Sequence, residues 1–190
     1  MVAAVSAFVF TNSITAHIYA ESADTETTGG LIEITDDTLL ENAELISETS
    51  SVFAGRITTV KTYELSDGTT VTDTFETGLV LPLSPNGSDT ATRTRQVSDW
   101  GSVTLTAHFS WWTLIPFAYV ECTRASASRN LKSGVVVSGW NLTKTQGASS
   151  LGTAYAEIYY AFYSAANPII GISGRLRITC TDTGRISDNG

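Results

Sequence analysis

VTLTAHFSW, residues 103–111, alternates apolar and polar side chains without a fault. Successive side chains of a strand point to opposite faces, so Val103, Leu105, Ala107, Phe109 and Trp111 would line a core. Thr104, Thr106, His108 and Ser110 would look the other way. A helix would scatter the same residues around its circumference, so this stretch is predicted to be a half-buried strand.

Past Trp111 the alternation breaks down. Ile115, Phe117 and Tyr119 continue the buried side, while Trp112, Leu114, Ala118 and Val120 make the opposite side apolar too. Both faces then need cover. Pro116 has no N–H for a sheet ladder, so it marks an edge, a bulge or a bend into a second sheet. A strand that changes sheets, covered on both sides by its own protein, is the favoured explanation. An exposed aromatic patch containing Trp111 and Trp112, for a sugar, lipid or protein partner, is the rival.

Upstream, ITTVKTYEL and TTVTDTFE flank Ser66-Asp67-Gly68. A three-residue loop with Gly68 in the left-handed conformation pairs Tyr63 with Val71 and Lys61 with Asp73, and puts Ile57, Leu65 and Phe75 on the same face. A two-residue loop leaves no apolar face. Pro82, Pro85 and Asn86-Gly87 then mark a loop, and Arg93 and Arg95 follow on one side of an extended run.

Downstream, three more runs complete the pattern. LKSGVVVSGWNLTKT sets Val136, Trp140 and Leu142 against Val135, Val137 and Asn141. LGTAYAEIYYAFYSAA sets Ala156, Ile158, Tyr160 and Phe162 against Tyr155, Glu157, Tyr159 and Tyr163, although its alanines also suit a helix. IIGISGRLRITCT points Ile170, Ile172, Leu176, Ile178 and Cys180 inward and Ser173, Arg175, Arg177 and Thr179 outward. The expected fold is an all-β, antiparallel two-layer β-sandwich over residues 51–190, with a β-barrel as the alternative.

The first 20 residues, MVAAVSAFVFTNSITAHIYA, contain no acid, lysine or arginine and end in small residues before a polar run. They are predicted to be a signal peptide cut after Ala20 or Ala23, although the usual basic start is missing. Thr11, Asn12, Ser13 and His17 interrupt the run and disfavour a membrane anchor. Secretion to the extracellular side is therefore the expected localisation.

The net charge of −8 is unevenly spread: residues 21–50 carry nine acids and no base. This segment is expected to be an acidic linker or propeptide, with a short helix after a cap at Asp36 or Asp37. The rest is nearly neutral. Nucleic acid is not an expected partner for a chain of this charge.

Cys122 and Cys180 both fall in strand-like runs and, outside the cytosol, are expected to form a disulfide worth about 4 kcal/mol in the chain-entropy model. No metal or other cofactor is expected. Histidine and cysteine are too scarce for a zinc site, and Asp67, Asp73 and Asp89 show no calcium-loop spacing. His108 is the one histidine outside the leader and no G-x-S-x-G elbow accompanies it.

Two carboxylates suffice for glycoside hydrolysis, which makes Glu121 and Glu157 the candidate pair of a glycan-active enzyme. Tyr155, Glu157, Tyr159 and Tyr163 would form a stripe on one strand face, where flat rings beside an acid suit sugar rings. The expected function is a non-catalytic, secreted binding module for a glycan or cell-surface protein. A membrane-active, toxin-like protein using residues 109–120 is the alternative, and the glycan-active enzyme the second alternative.

Overall fold

The computed structural model describes residues 38–40, 43–79, 85–145 and 152–188. The leader expected at residues 1–20 lies outside these residues, as does most of the acidic segment. A short 3-10 helix, Thr38–Leu40, precedes ten strands: β1 Glu44–Phe53, β2 Arg56–Glu64, β3 Thr70–Gly78, β4 Gly87–Val97, β5 Gly101–Leu114, β6 Phe117–Leu131, β7 Val135–Lys144, β8 Thr153–Ser164, β9 Asn167–Thr181 and β10 Ile186–Ser187. The first six form one antiparallel sheet in chain order and the last four another, ordered β10-β9-β8-β7. Two meanders are thus stacked face to face, and the fold is the all-β sandwich.

The strand at 103–111 behaves as its alternation requires: Val103, Leu105, Ala107, Phe109 and Trp111 are buried, and His108 is exposed. Across the core they meet Ile158, Phe162, Leu176 and Ile178 of the second sheet. The first hairpin takes the three-residue loop, with Tyr63 paired to Val71 and Lys61 to Asp73. Gly68 adopts φ +82° there, a region that costs glycine nothing. Residues 153–164 form a strand, so tertiary pairing on both sides of β8 overrides the helix propensity of its alanines.

Several expectations need correction. Residues 44–50 of the acidic segment form the first seven of the ten residues of β1 rather than a helix, and Leu39 is fully buried in the core, so the folded unit begins well before residue 51. The chain does not cross between sheets at Pro116. Leu114 pairs with Phe117, and Ile115-Pro116, joined by a cis peptide bond, is the two-residue turn of a β5–β6 hairpin. A turn is where a missing N–H costs no ladder bond.

In β7 a register shift between Val137 and Gly139 turns Val135, Val137 and Trp140 to the core, against the face assigned by simple alternation. An inserted residue reverses the facing of everything after it. Ile170 is exposed: the register shift between Tyr163 and Ser164 leaves Pro168, Ile169 and Ile170 of β9 without partners on β8, so the alternation does not carry through them.

Cys122 and Cys180 are buried, unbonded thiols, and the expected disulfide is not formed. They sit on different sheets, and each S–H donates to a carbonyl of its own strand, Arg124 O and Thr181 O. Burial pushes the Cys122 thiol up against the pull of Lys144. Burial, then the charge of Asp89, pushes Cys180 up to about 12. Thiolate is the reactive form, so both are inert as folded.

The sandwich is tied along one side by a buried ion cluster. Asp73 of β3 accepts from Arg93 Nη2 (2.8 Å) and Arg95 Nη2 (2.9 Å) of β4. The same guanidinium groups reach the second sheet: Arg93 Nη1 donates to Arg177 O (3.1 Å) and Asp188 O (2.7 Å), and Arg95 Nη1 to Arg175 O (3.4 Å). Burial raises the Asp73 carboxyl, but the Arg95 and Arg93 charges and hydrogen bonds outweigh it and hold the group below the usual carboxylate range.

Candidate functional site

The six-stranded meander places its turns alternately at its two ends. One end carries the β2–β3, β4–β5 and β6–β7 turns, Ser66-Asp67-Gly68, Ser98-Asp99 and Lys132-Ser133-Gly134, which are polar. The other carries the tip of the β1–β2 hairpin, the end of β3 and the β5–β6 turn. There Phe53 is 84% exposed, Ile115 90%, Leu114 66% and Phe117 57%, with Val52 and Leu79 also exposed. Nothing in the described chain covers them. Of these, Leu114, Ile115 and Phe117 belong to the doubly apolar stretch 112–120, for which a covered strand crossing was the favoured expectation; Val52, Phe53 and Leu79 lie outside it.

Behind the β5–β6 turn, Trp112 and Tyr119 stack on the outer face, ring centroids 5.8 Å apart and planes 16° from parallel. Phe117 meets Tyr119 edge-on at 6.5 Å. Trp111 points the opposite way and is only 4% exposed, so its candidate binding role is replaced by a core role. Its ring lies over two glycines, where a Cβ at Gly87 would stand 2.5 Å from Cζ2 and a Cβ at Gly184 would also clash. Behind the β1–β2 tip the charges are mutually engaged: Arg56 pairs with Glu76 and lies 3.8 Å from Asp89.

The second candidate, Tyr155, Glu157, Tyr159 and Tyr163, does form one stripe down the outer face of β8. Its cross-strand neighbours had not been anticipated. Register puts Arg177 beside Glu157 and Arg175 beside Tyr159. Glu157 Oε2 lies 3.6 Å from Nη1 of both arginines and has no hydrogen bond, although Glu157 is buried. Arg177 stacks over the Tyr155 ring, 4.4 Å from its centroid, and so occupies that ring face. Burial raises the Tyr159 hydroxyl, as does its hydrogen bond to the Glu157 carboxylate, while Arg175 lowers it. The outward Arg-x-Arg of β9 opposite a lone acid was the available signal, readable once the turn at Ala165-Ala166 and the register shift beside it are known.

Other candidates do not assemble. Glu121 lies between the buried Val120 and Cys122 and so faces outward from the six-stranded sheet, whereas Glu157 faces outward from the other sheet. The sandwich core separates them, and they do not flank one glycosidic bond. His108 is exposed, with Nε2 2.7 Å from the Thr90 hydroxyl. Asp67 Oδ1 accepts from Thr69 N and Asp89 from Gly78 N, and among the described residues no cluster of acids, histidines or cysteines could hold a metal ion. Among the described residues no helix is long and apolar enough to cross a membrane. In comparisons with protein families, curated proteins and solved structures, the chain matches none.

Proposed function

We propose that the protein is a non-catalytic binding domain of the cell exterior that attaches through its apolar end to the interfacial layer of a lipid bilayer. The observation that carries this reading is the gathering of Phe53, Leu79, Leu114, Ile115 and Phe117 at one end of the six-stranded sheet. These residues come from separate turns. Across the sheet the β1–β2 and β5–β6 tips are four strand widths apart, about 19 Å at ~4.8 Å per strand. Because the registers set Arg56 level with His108, the β5–β6 turn also projects about 24 Å further along the strands at ~3.4 Å per residue. A protein partner needs a continuous matching surface, whereas a hydrocarbon boundary accepts apolar tips of uneven height.

Two further features favour a bilayer. The tips carry no ionisable group, and Arg56 and Glu76 behind the β1–β2 tip are paired with each other, so the end suits a neutral interface. The Trp112–Tyr119 stack sits one step back from the β5–β6 tip, at the depth where amphipathic rings meet headgroups. Placement outside the cell is supported by the leader-like composition of residues 1–20.

Sedimentation with phosphatidylcholine vesicles tests the proposal. The protein is expected to pellet with them at low and high salt alike. Recovery in the supernatant at every lipid concentration overturns it.

A further inference from the structure

We infer a second site, independent of the apolar end: the outer face of the four-stranded sheet binds a neutral oligosaccharide between Glu157 and Tyr163. Three polar atoms there are buried and lack a hydrogen-bond partner: Glu157 Oε2, Arg177 Nε and Ser173 Oγ. Glu157 is 5% exposed and Ser173 1%. Isolated polar atoms of this kind destabilise a fold unless something binds them. On the same outer face Glu157 and Arg177 share one ladder position, and Ser173, paired with Ala161, lies two same-face positions further along, with Tyr159 and Arg175 between.

The chemistry of these atoms selects the ligand. Glu157 Oε2 requires a donor, and Arg177 Nε requires an acceptor. A pair of adjacent sugar hydroxyls supplies both at once, because each hydroxyl donates one hydrogen bond and accepts others. The 3.6 Å gaps from Glu157 Oε2 to Arg175 and Arg177 are too long for direct hydrogen bonds, and a hydroxyl placed there would bond to both sides. An anionic group would be set against the carboxylate and a cationic one against two guanidinium groups, which leaves a neutral ligand.

The rings set its length. Arg177 covers Tyr155, so Tyr159 and Tyr163, both half-buried, present the stacking faces. They are four residues apart on one strand, about 14 Å at ~3.4 Å per residue. Ala161 lies between them, opposite the buried Ser173. A ligand touching both rings is a chain of sugars rather than a single one.

Affinity electrophoresis through gels containing xylan, mixed-linkage β-glucan, galactomannan or polygalacturonate tests the site on the full chain. At least one neutral polysaccharide is expected to retard the protein. Tyr159→Ala and Tyr163→Ala should each weaken that retardation about tenfold or more, with circular dichroism unchanged. Trp112→Ala, at the apolar end, should retain it, so the two proposals fail separately. Retardation by none of the neutral polysaccharides, by polygalacturonate alone, or undiminished in Tyr159→Ala overturns the inference.

Discussion

Replacing Ile115 and Phe117 together by serine should abolish membrane attachment while leaving the fold untouched. The size of the effect follows from their exposure. Ile115 is 90% and Phe117 57% exposed, so together they offer the bilayer about one and a half apolar side chains. Fully burying one such side chain is worth about 1.5–3 kcal/mol, which makes the pair worth about 2–4 kcal/mol of partitioning. At about 1.4 kcal/mol per decade this weakens vesicle binding about 30- to 1000-fold.

Stability should change by no more than about 0.5 kcal/mol, because neither side chain contributes to the core. Emission from the half-buried Trp112, titrated with phosphatidylcholine vesicles, measures the partitioning, and urea unfolding measures the stability. The control is Ile169→Ser with Ile170→Ser. These residues are also exposed and apolar, but they lie on the β8–β9 hairpin, whose turn is bonded to Gly134 at the opposite end. That pair should bind like the parent. If the Ile115/Phe117 variant partitions within threefold of the parent, or the control loses as much, attachment through this end is wrong.

Three further outcomes follow from the core. Asp73→Asn should cost about 3–5 kcal/mol in chemical denaturation, because it removes the counter-charge shared by the buried Arg95 and the largely buried Arg93. Asp73 is held below the usual carboxylate range, so its contribution is fully present above the unfolded value near pH ~3.9 and is lost as pH falls through the lower folded value. Parent and variant should therefore converge in stability only at strongly acid pH, and parallel curves down to that pH would contradict the assignment. Ellman's reagent should find almost no reactive thiol in the native protein and both cysteines after unfolding without reductant; no thiol even when unfolded would mean that they are bonded. Gly87→Ala should destabilise by about 1–3 kcal/mol by driving a methyl into the Trp111 ring, and an unchanged melting temperature would argue against that packing.

The two candidate surfaces were legible to different degrees. The β8 stripe was visible because a period-two pattern assigns faces directly, but its arginine partners belong to another strand and appear only once register is known. The apolar end was visible as an excess of hydrophobic residues after Trp111, yet composition alone could not distinguish a covered crossing from an uncovered turn. The same limit hid the cluster of Asp73, Arg93 and Arg95. The hairpin register already put Asp73 on the face shared with Phe75, and an acid on a buried face requires a partner. That the partners are two arginines from the next strand is a fact of sheet order.

What the sequence by itself determined is the set of strands, their inward and outward residues where alternation runs unbroken, and the one hairpin register specified by the length and glycine of its turn. These are local properties, and each side chain's facing follows from its position in the pleat. What only the tertiary structure decided is everything that depends on pairing over long separations: the recruitment of residues 44–50 into an edge strand, the bulge that reverses β7, the two thiols left unbonded, and the end of the sheet left uncovered by the described residues. A residue's burial depends on what is packed over it, and local periodicity says only which way the side chain points.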